Sequence, residues 1–471
     1  MSSGTRSRPF DILIYGATGL AGKHVVKHFL KNHPEVKLAI AGRNPTKLQK
    51  LASDLNSSNS SNNVHASKID PNQILTASAD NKQELITILS QTKICLACAG
   101  PYRHVGKNIV EAAIETQTDY LDLCGEPQFF DDMLTAFDGK ARLNHTLVLS
   151  ACAFDCVPAE MVYRLSSDEL LKKYNHTTHE NQNQTGTPVT NVEIVHTFQN
   201  IQRVNATTFD AAVDGFYASS TGELKASRDK VKQSFPQLLE PKFTNKKKPD
   251  EWKRYISTPG MTTPLYHEYS DTYVLKFLGA DASCILASDR YLRLRSSDDD
   301  DGNNVNDGNN DIPTMPYFSV CFGVKQRSDA YQFLGFGAVF ATLAKWSWGC
   351  KMLHSNPELF TKGYFTAGGP TDEEMKDAKF VTYGTAYGLE KDQCVRVKFS
   401  GPEPGYIATS AMMCALALTV LNHRDSMKFD GGVMLPGAAF HGCDYVYEYL
   451  KQEGMEIEIE ETVSATGAEK V

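Results

Sequence analysis

Three glycines spaced three apart, Gly16, Gly19 and Gly22, lie in "YGATGLAGKHVV" between an apolar run and an amphipathic one. Glycines at a strand-to-helix turn allow a sharp bend, let a ligand approach the backbone, and let the helix pack close to the sheet. Amides without partners and the helix dipole favour an anion at such a helix start. A dinucleotide pyrophosphate is the expected guest, held by Gly16, Thr18, Gly19, Leu20, Ala21 and Gly22. The spacing departs from G-x-G-x-x-G, since two residues separate the first two glycines, and a purely structural turn is the competing reading.

A second expected strand ends in "LAIAGRNPTKL", about 20 residues further on, and no acid follows it. A site for NAD usually places Asp or Glu there to hold the ribose 2′-hydroxyl. Arg43 offers instead a planar fork suited to a 2′-phosphate, with Lys47 as a second positive charge. The cofactor expected is therefore NADP, as NADPH. Asp80, in "SAD", could accept from the adenine amino group or cap the next helix. In "ACAGPYRHVG" the backbone of Ala99, Gly100 and Pro101 would run beside the nicotinamide ribose.

Reduction by such a cofactor asks the protein to orient a substrate and to supply at most one proton. Tyr102, His104, Asp122 and Asp155 are the candidates for that work, each at an expected sheet edge. Each also has a plain alternative: a packing aromatic for Tyr102, a helix-start polar residue for His104, loop or cap carboxylates for Asp122 and Asp155. "CLAC" places Cys95 and Cys98 on opposite faces of a strand, and "CAFDC" has no supporting Cys or His cluster, so no metal is assigned.

The elements that must position these residues are legible as alternating strand and helix patterns. Strands are expected at 11–15, 37–41, 73–79, 93–99, 120–123 and 146–150, with helices between them, which is the rhythm of a parallel sheet covered on both faces. From about 160 to 400, runs such as "VRVKF" with Gly and Pro breaks suggest a mostly antiparallel sheet with a few helices. "SSNSSNN" (57–63), "NHTTHENQNQTGTP" (175–188) and "SSDDDDGNNVNDGNND" (296–311) read as solvated polar stretches.

With 471 residues the chain has room for two or three domains. A net charge of −8 without a basic stripe argues against a nucleic-acid partner. Eleven scattered cysteines and no apolar N-terminal run lead to the expectation of free thiols in a cytoplasmic, non-secreted protein. The stretch 331–349 is free of charge from Tyr331 to Ala344 and ends in Lys345, Trp346 and Trp348. It is too short to span a bilayer; a buried or homodimer-interface helix and a membrane-surface contact are both open readings. "SAMMCALALTVL" (410–421) is expected to be a buried core helix.

Taken together, "YGATGLAGKHVV", "AGRNPTKL", "CAGPYRHVGKNIVEAA", "DYLDLCGEPQFFDDM", "AFDCVPAEM", "GPEPGYIATSAMM" and "GGVMLPGAAF" resemble the saccharopine dehydrogenase-like oxidoreductases, a family that includes trans-acting enoyl reductases. The resemblance implies an α/β fold: a Rossmann-type parallel sheet at 1–158, a second α+β substrate or dimerisation domain at 159–400, within which the composition marks a disordered acidic insertion at 296–311, and a segment at 401–471 returning to the first domain. It also implies association with lipid droplets or other membranes and a role in lipid metabolism. One departure is "AFDCVP", where the family tends to G-F-D-S-I-P; Ala153 excludes a backbone shape that only Gly tolerates. Three functions follow as expectations: an NADPH-dependent reductase of an apolar, lipid-related small molecule, a saccharopine-type amino-acid dehydrogenase, or a non-catalytic cofactor-binding protein at lipid surfaces.

Overall fold

The strand-like runs of the N-terminal part form a parallel sheet in the computed structural model, which describes residues 8–62, 68–154, 156–175, 188–236, 263–296, 315–390 and 392–460. In chain order the elements are β1 (Phe10–Tyr15), α1 (Leu20–Asn32), β2 (Leu38–Gly42), α2 (Pro45–Asn62), β3 (Ile74–Thr76), α3 (Lys82–Leu89), β4 (Thr92–Ala97), α4 (Tyr102–Thr116), β5 (Asp119–Asp122), α5 (Pro127–Leu143) and β6 (Leu147–Leu149). The central strands are apolar on both faces because helices cover both: Ile12, Leu13 and Ile14 are all fully buried. Ile12 registers with Leu38 on one side and Ile94 on the other.

The strand order is Gly432–Met434, β6, β5, β4, β1, β2, β3, giving seven strands with every pairing parallel. The chain runs outward from β1 to β3, then returns to β4 on the other side of β1. That reversal makes the carboxyl edge between β1 and β4 the place where an open α/β sheet binds ligands. α1 lies on the sheet through Val25, Val26, Phe29 and Leu30, all buried, and each such side chain contributes about 1.5–3 kcal/mol.

The chain divides into two units, one of residues 1–154 with 404–454 and the other of 155–403 with 455–471. In the first, the Thr409–His423 helix contacts α1 and β4, and every residue from Thr409 to Val420 is buried. By length and composition alone Pro404–Ser426 could cross a membrane, yet most of it is buried, in line with the core helix expected at 410–421.

The second unit carries a seven-stranded sheet in the order Glu456–Glu460, Cys394–Pro402, Lys379–Tyr387, Asn191–Gln199, Tyr317–Val324, Thr272–Lys276 and Leu265–His267. Its neighbours are antiparallel except for the Asn191–Gln199 and Tyr317–Val324 pair. The segment expected to return whole to the first domain, 401–471, divides instead: Glu456–Glu460 pairs with Cys394–Pro402 and belongs to the second unit. "EIEIE" suits an edge strand, because its acids face solvent and Lys398, whose Nζ lies 2.6 Å from Glu460.

Residues 63, 176–187 and 297–311 of the polar stretches lie outside the described residues. α2 continues through most of the first polar stretch, to Asn62. The stretch 331–349 is neither wholly buried nor a single helix. A helix at Arg327–Leu343 and another at Ser347–Ser355 bury Phe340, Ala344, Cys350 and Leu353 against Phe209 and Val213. Their other side exposes Tyr331, Phe333, Val339, Trp346 and Trp348, the last by 59%.

Candidate functional site

The glycine turn is built as the spacing requires. Gly16 has φ +80°, and a Cβ there would lie 2.8 Å from Ala99 Cβ and 2.9 Å from Ala99 N. The turn thus lies directly against the loop after β4, and only glycine fits between them. A Cβ at Gly22 would meet Gly16 O at 2.4 Å, so the start of α1 rests on the turn itself. At Gly19 a Cβ would sit 3.3 Å from the same oxygen.

The amides of Gly16 and Ala17 donate to Ala41 O at 2.9 and 3.2 Å, which pins the turn to β2. Gly19 is the N-cap of α1, and no side chain caps the helix. Its first-turn amides therefore face the turn without an intrahelical acceptor. Gly19 is exposed, and Thr18, Leu20 and Ala21 are half-buried. The arrangement fits a phosphate-bearing group: a cradle that a Cβ would fill, lined by amides and positive at its helix end.

Arg43 and Lys47 are exposed just past β2, at the same sheet edge, with Asn44 accepting from Lys47 N at 3.0 Å as α2 begins. Tyr15, at the end of β1, donates to Ala77 O at 3.1 Å. Burial pushes its hydroxyl up to about 12, with Cys95, Asp80 and Glu84 adding to the rise and Arg43 opposing it. Arg43 and Asp80 are thereby brought to one neighbourhood. The cap of α3 is Asn81, whose side chain accepts from Glu84 N, and not Asp80. Of the two readings of Asp80, capping is corrected; its carboxylate is exposed at the edge.

Ala99 is half-buried, Gly100 and Pro101 are exposed, and Cys98 N donates to Tyr15 O at 2.8 Å, which holds this loop beside β1. The Tyr102 hydroxyl is enclosed, donating to Ala97 O at 2.8 Å and accepting from Leu123 N at 3.2 Å. Burial raises its pKa well above that of an ordinary phenol. Tyr102 therefore ties the end of β4 to the end of β5. His104, in the first turn of α4, is exposed.

The Asp122 carboxylate is fully buried and accepts from Cys124 N at 2.9 Å, Ala151 N at 3.0 Å and Ser150 Oγ at 3.0 Å. Burial raises its pKa to about 6, against the pull of those hydrogen bonds. It fastens the turn after β6, where Ala151 adopts φ +61°. Asp155 lies outside the described residues.

Glu126 escaped the sequence reading. Its carboxylate accepts from Tyr102 N at 3.0 Å and from Arg103 Nε at 2.6 Å, so it holds the start of α4 and the base of the His104 turn. The signal was the "GEP" before α5, which reads as an ordinary helix start. In the second unit, His196 and Asp281 form a buried pair at 3.2 Å, with His196 Nδ1 2.9 Å from Thr382 Oγ1. A strand histidine and an acid 85 positions apart carry no sequence signal of meeting. None of the eleven cysteines forms a disulfide, and all but Cys98 are buried.

Residues 12–155 match the family model described as the saccharopine dehydrogenase NADP binding domain. A protein of Arabidopsis thaliana named a probable mitochondrial saccharopine dehydrogenase-like oxidoreductase is 28% identical over 97% of this chain and 98% of its own. A Caenorhabditis elegans protein named lipid droplet localized protein is 24% identical over 96% of this chain and 98% of its own. Among solved structures, saccharopine dehydrogenase (L-Glu forming) of Saccharomyces cerevisiae covers 96% of this chain with all of its own, at a TM-score of 0.50 and 9% identity, a likeness of fold. Residues 12–155 are thus similar to the NADP-binding domain of saccharopine dehydrogenases, and the whole chain resembles the saccharopine dehydrogenase-like oxidoreductases.

Proposed function

We propose that this chain is an NADPH-dependent oxidoreductase acting on an apolar, lipid-related substrate. The observation that carries the reading is the uncapped, glycine-lined start of α1 beside a strand end that offers Arg43 in place of an acid. When bound, the nicotinamide supplies a hydride. The protein's own residues do the rest. Gly16, Thr18, Gly19, Leu20, Ala21 and Gly22 hold the pyrophosphate, and Arg43 with Lys47 pairs with the 2′-phosphate. Asp80 accepts from the adenine amino group, and Ala99, Gly100 and Pro101 line the ribose next to the nicotinamide.

His104 is exposed at the carboxyl edge and is the group proposed to hand a proton to the substrate. Glu126 and Tyr102 position it by fixing the first turn of α4. Asp122 accepts from Cys124 N, Ala151 N and Ser150 Oγ and sets the shape of the loops around it.

The apolar substrate is supported by the name of the worm relative and by the exposed aromatics at 331–349, whose Lys345 and paired tryptophans suit a lipid–water interface. The test is deuterium transfer from 4-deuterated NADPH to panels of enoyl, keto and imino compounds. Label in an apolar enoyl or keto product supports the proposal. Label only in an amino-acid imine would assign the saccharopine-type dehydrogenase instead, and cofactor binding without transfer to any panel would leave a non-catalytic cofactor-binding protein.

A further inference from the structure

At the far end of α1 from the glycine turn, four side chains distant in sequence converge. His28 lies one turn before the end of α1 and His33 is its C-cap, while Cys414 comes from the Thr409–His423 helix and Glu453 is the C-cap of the Tyr445–Gln452 helix. One ligand atom from each lies within 4.8 Å of all the others. His28 Nε2 is 2.5 Å from Glu453 Oε2, and His33 Nε2 is 2.7 Å from Glu453 Oε1. The Glu453 side chain is 2% exposed and Cys414 is fully buried.

We propose that His28, His33, Cys414 and Glu453 form a four-coordinate site for Zn²⁺ that fastens the C-terminal return segment to α1. Two imidazoles, a thiolate and a carboxylate are a donor set that a borderline-soft divalent cation prefers over Ca²⁺ or Mg²⁺. Bonds of about 2.0–2.3 Å in a tetrahedron put ligand atoms roughly 3.5 Å apart, so the two imidazole–Glu453 pairs must open by about 1 Å, pairs as far apart as 4.8 Å must close by about as much, and the 3.2 Å contact of Asn32 Nδ2 with His28 Nε2 must be given up.

A second feature points the same way. His33 Nδ1 is 3.2 Å from Glu35 Oε1, so a carboxylate orients the ring and leaves Nε2 facing the cluster. That is how metal-bound histidines are commonly held. On binding, the Cys414 thiol releases its proton to solvent and its sulfur bonds the metal. Each imidazole binds in its neutral form with the remaining proton on Nδ1, which for His33 faces Glu35, so an imidazole releases a proton to solvent only if it was doubly protonated beforehand.

The test uses the purified full chain, stripped with a chelator and titrated with Co²⁺ and then with Zn²⁺. The expected result is one equivalent of Co²⁺ giving visible bands of tetrahedral intensity and a near-ultraviolet thiolate-to-cobalt band, both abolished by Zn²⁺. C414S should lose the thiolate band. H33Q should bind Zn²⁺ far more weakly, and E35Q about tenfold more weakly, with NADPH binding retained in each. If C414S fails to fold, E35Q and H33Q carry the comparison, since Zn²⁺ should raise the melting temperature of wild type and not of H33Q. No stoichiometric uptake, or a cobalt spectrum without a thiolate band in wild type, would overturn the site and leave a hydrogen-bonded cluster.

Discussion

Gly22→Ala sets two effects against each other, and the structure decides the sign. In an open helix position the added methyl group stabilises by about 0.5–1 kcal/mol, because glycine loses more backbone freedom on folding than alanine does. At Gly22 the new Cβ would lie 2.4 Å from Gly16 O and 3.0 Å from Ala17 Cα, where ordinary contact begins at 3.4 Å. Both neighbours are backbone, so no rotamer relieves the clash and α1 must withdraw by about 1 Å. Overpacking of this kind costs about 1–3 kcal/mol, which cancels the helix gain at the least and leaves a net loss of up to about 2.5 kcal/mol.

The same shift draws the first-turn amides from the phosphate, and losing one such bond lowers NADPH affinity about tenfold. Gly139→Ala is the control: Gly139 lies within α5 with nothing within 4 Å of the added carbon, so it should gain about 0.5–1 kcal/mol. Urea unfolding and NADPH titration of both variants provide the assay. Equal stabilisation of the two, with NADPH binding unchanged in Gly22→Ala, would refute the reasoning.

Asp122 sets a pH dependence whose sign follows from its raised pKa. The folded carboxyl titrates near 6 and the unfolded one near 3.9, so the folded state binds more protons between these values. Its contribution to stability is full below about pH 4 and falls as the pH rises through about 6, by up to about 3 kcal/mol. Asp122→Asn keeps an acceptor for Cys124 and Ala151, so urea midpoints should show it gaining on wild type between pH 4.5 and 7; a constant gap would contradict the account. His104→Gln should lower kcat at least tenfold with NADPH affinity intact, and unchanged kcat would remove His104 from the chemistry. Replacing Trp346 and Trp348 together by Glu should abolish flotation with phospholipid vesicles without lowering the melting temperature, since both side chains are more than half exposed; flotation equal to wild type would sink the lipid-surface reading.

The first unit was legible because both signals that define it are local. Apolar runs gave β1, β2 and β4 to within two residues, and the glycine spacing gave the turn. β3 is shorter than the run at 73–79, since only Ile74–Thr76 pairs with β2 before the chain leaves the sheet. The roles of Tyr102 and Asp122 were not legible, because a hydroxyl or carboxylate in sequence does not reveal that Leu123 N, or Cys124 N and Ala151 N, already occupies it. At 331–349 the pattern gave an apolar helix. That Phe340 turns inward while Trp348 faces out depends on Phe209, more than a hundred residues away. His28, His33, Cys414 and Glu453 come from three segments that meet only after folding, and none of the spacings marks a metal site.

The most direct measurement is the ratio of NADPH to NADH dissociation constants for wild type and for Arg43→Glu. A charge-assisted contact of about 1.5–3 kcal/mol at the 2′-phosphate predicts at least tenfold tighter NADPH binding in wild type, and loss or inversion of that preference in the variant. Equal affinities in wild type, or a preference that Arg43→Glu leaves untouched, would contradict the account.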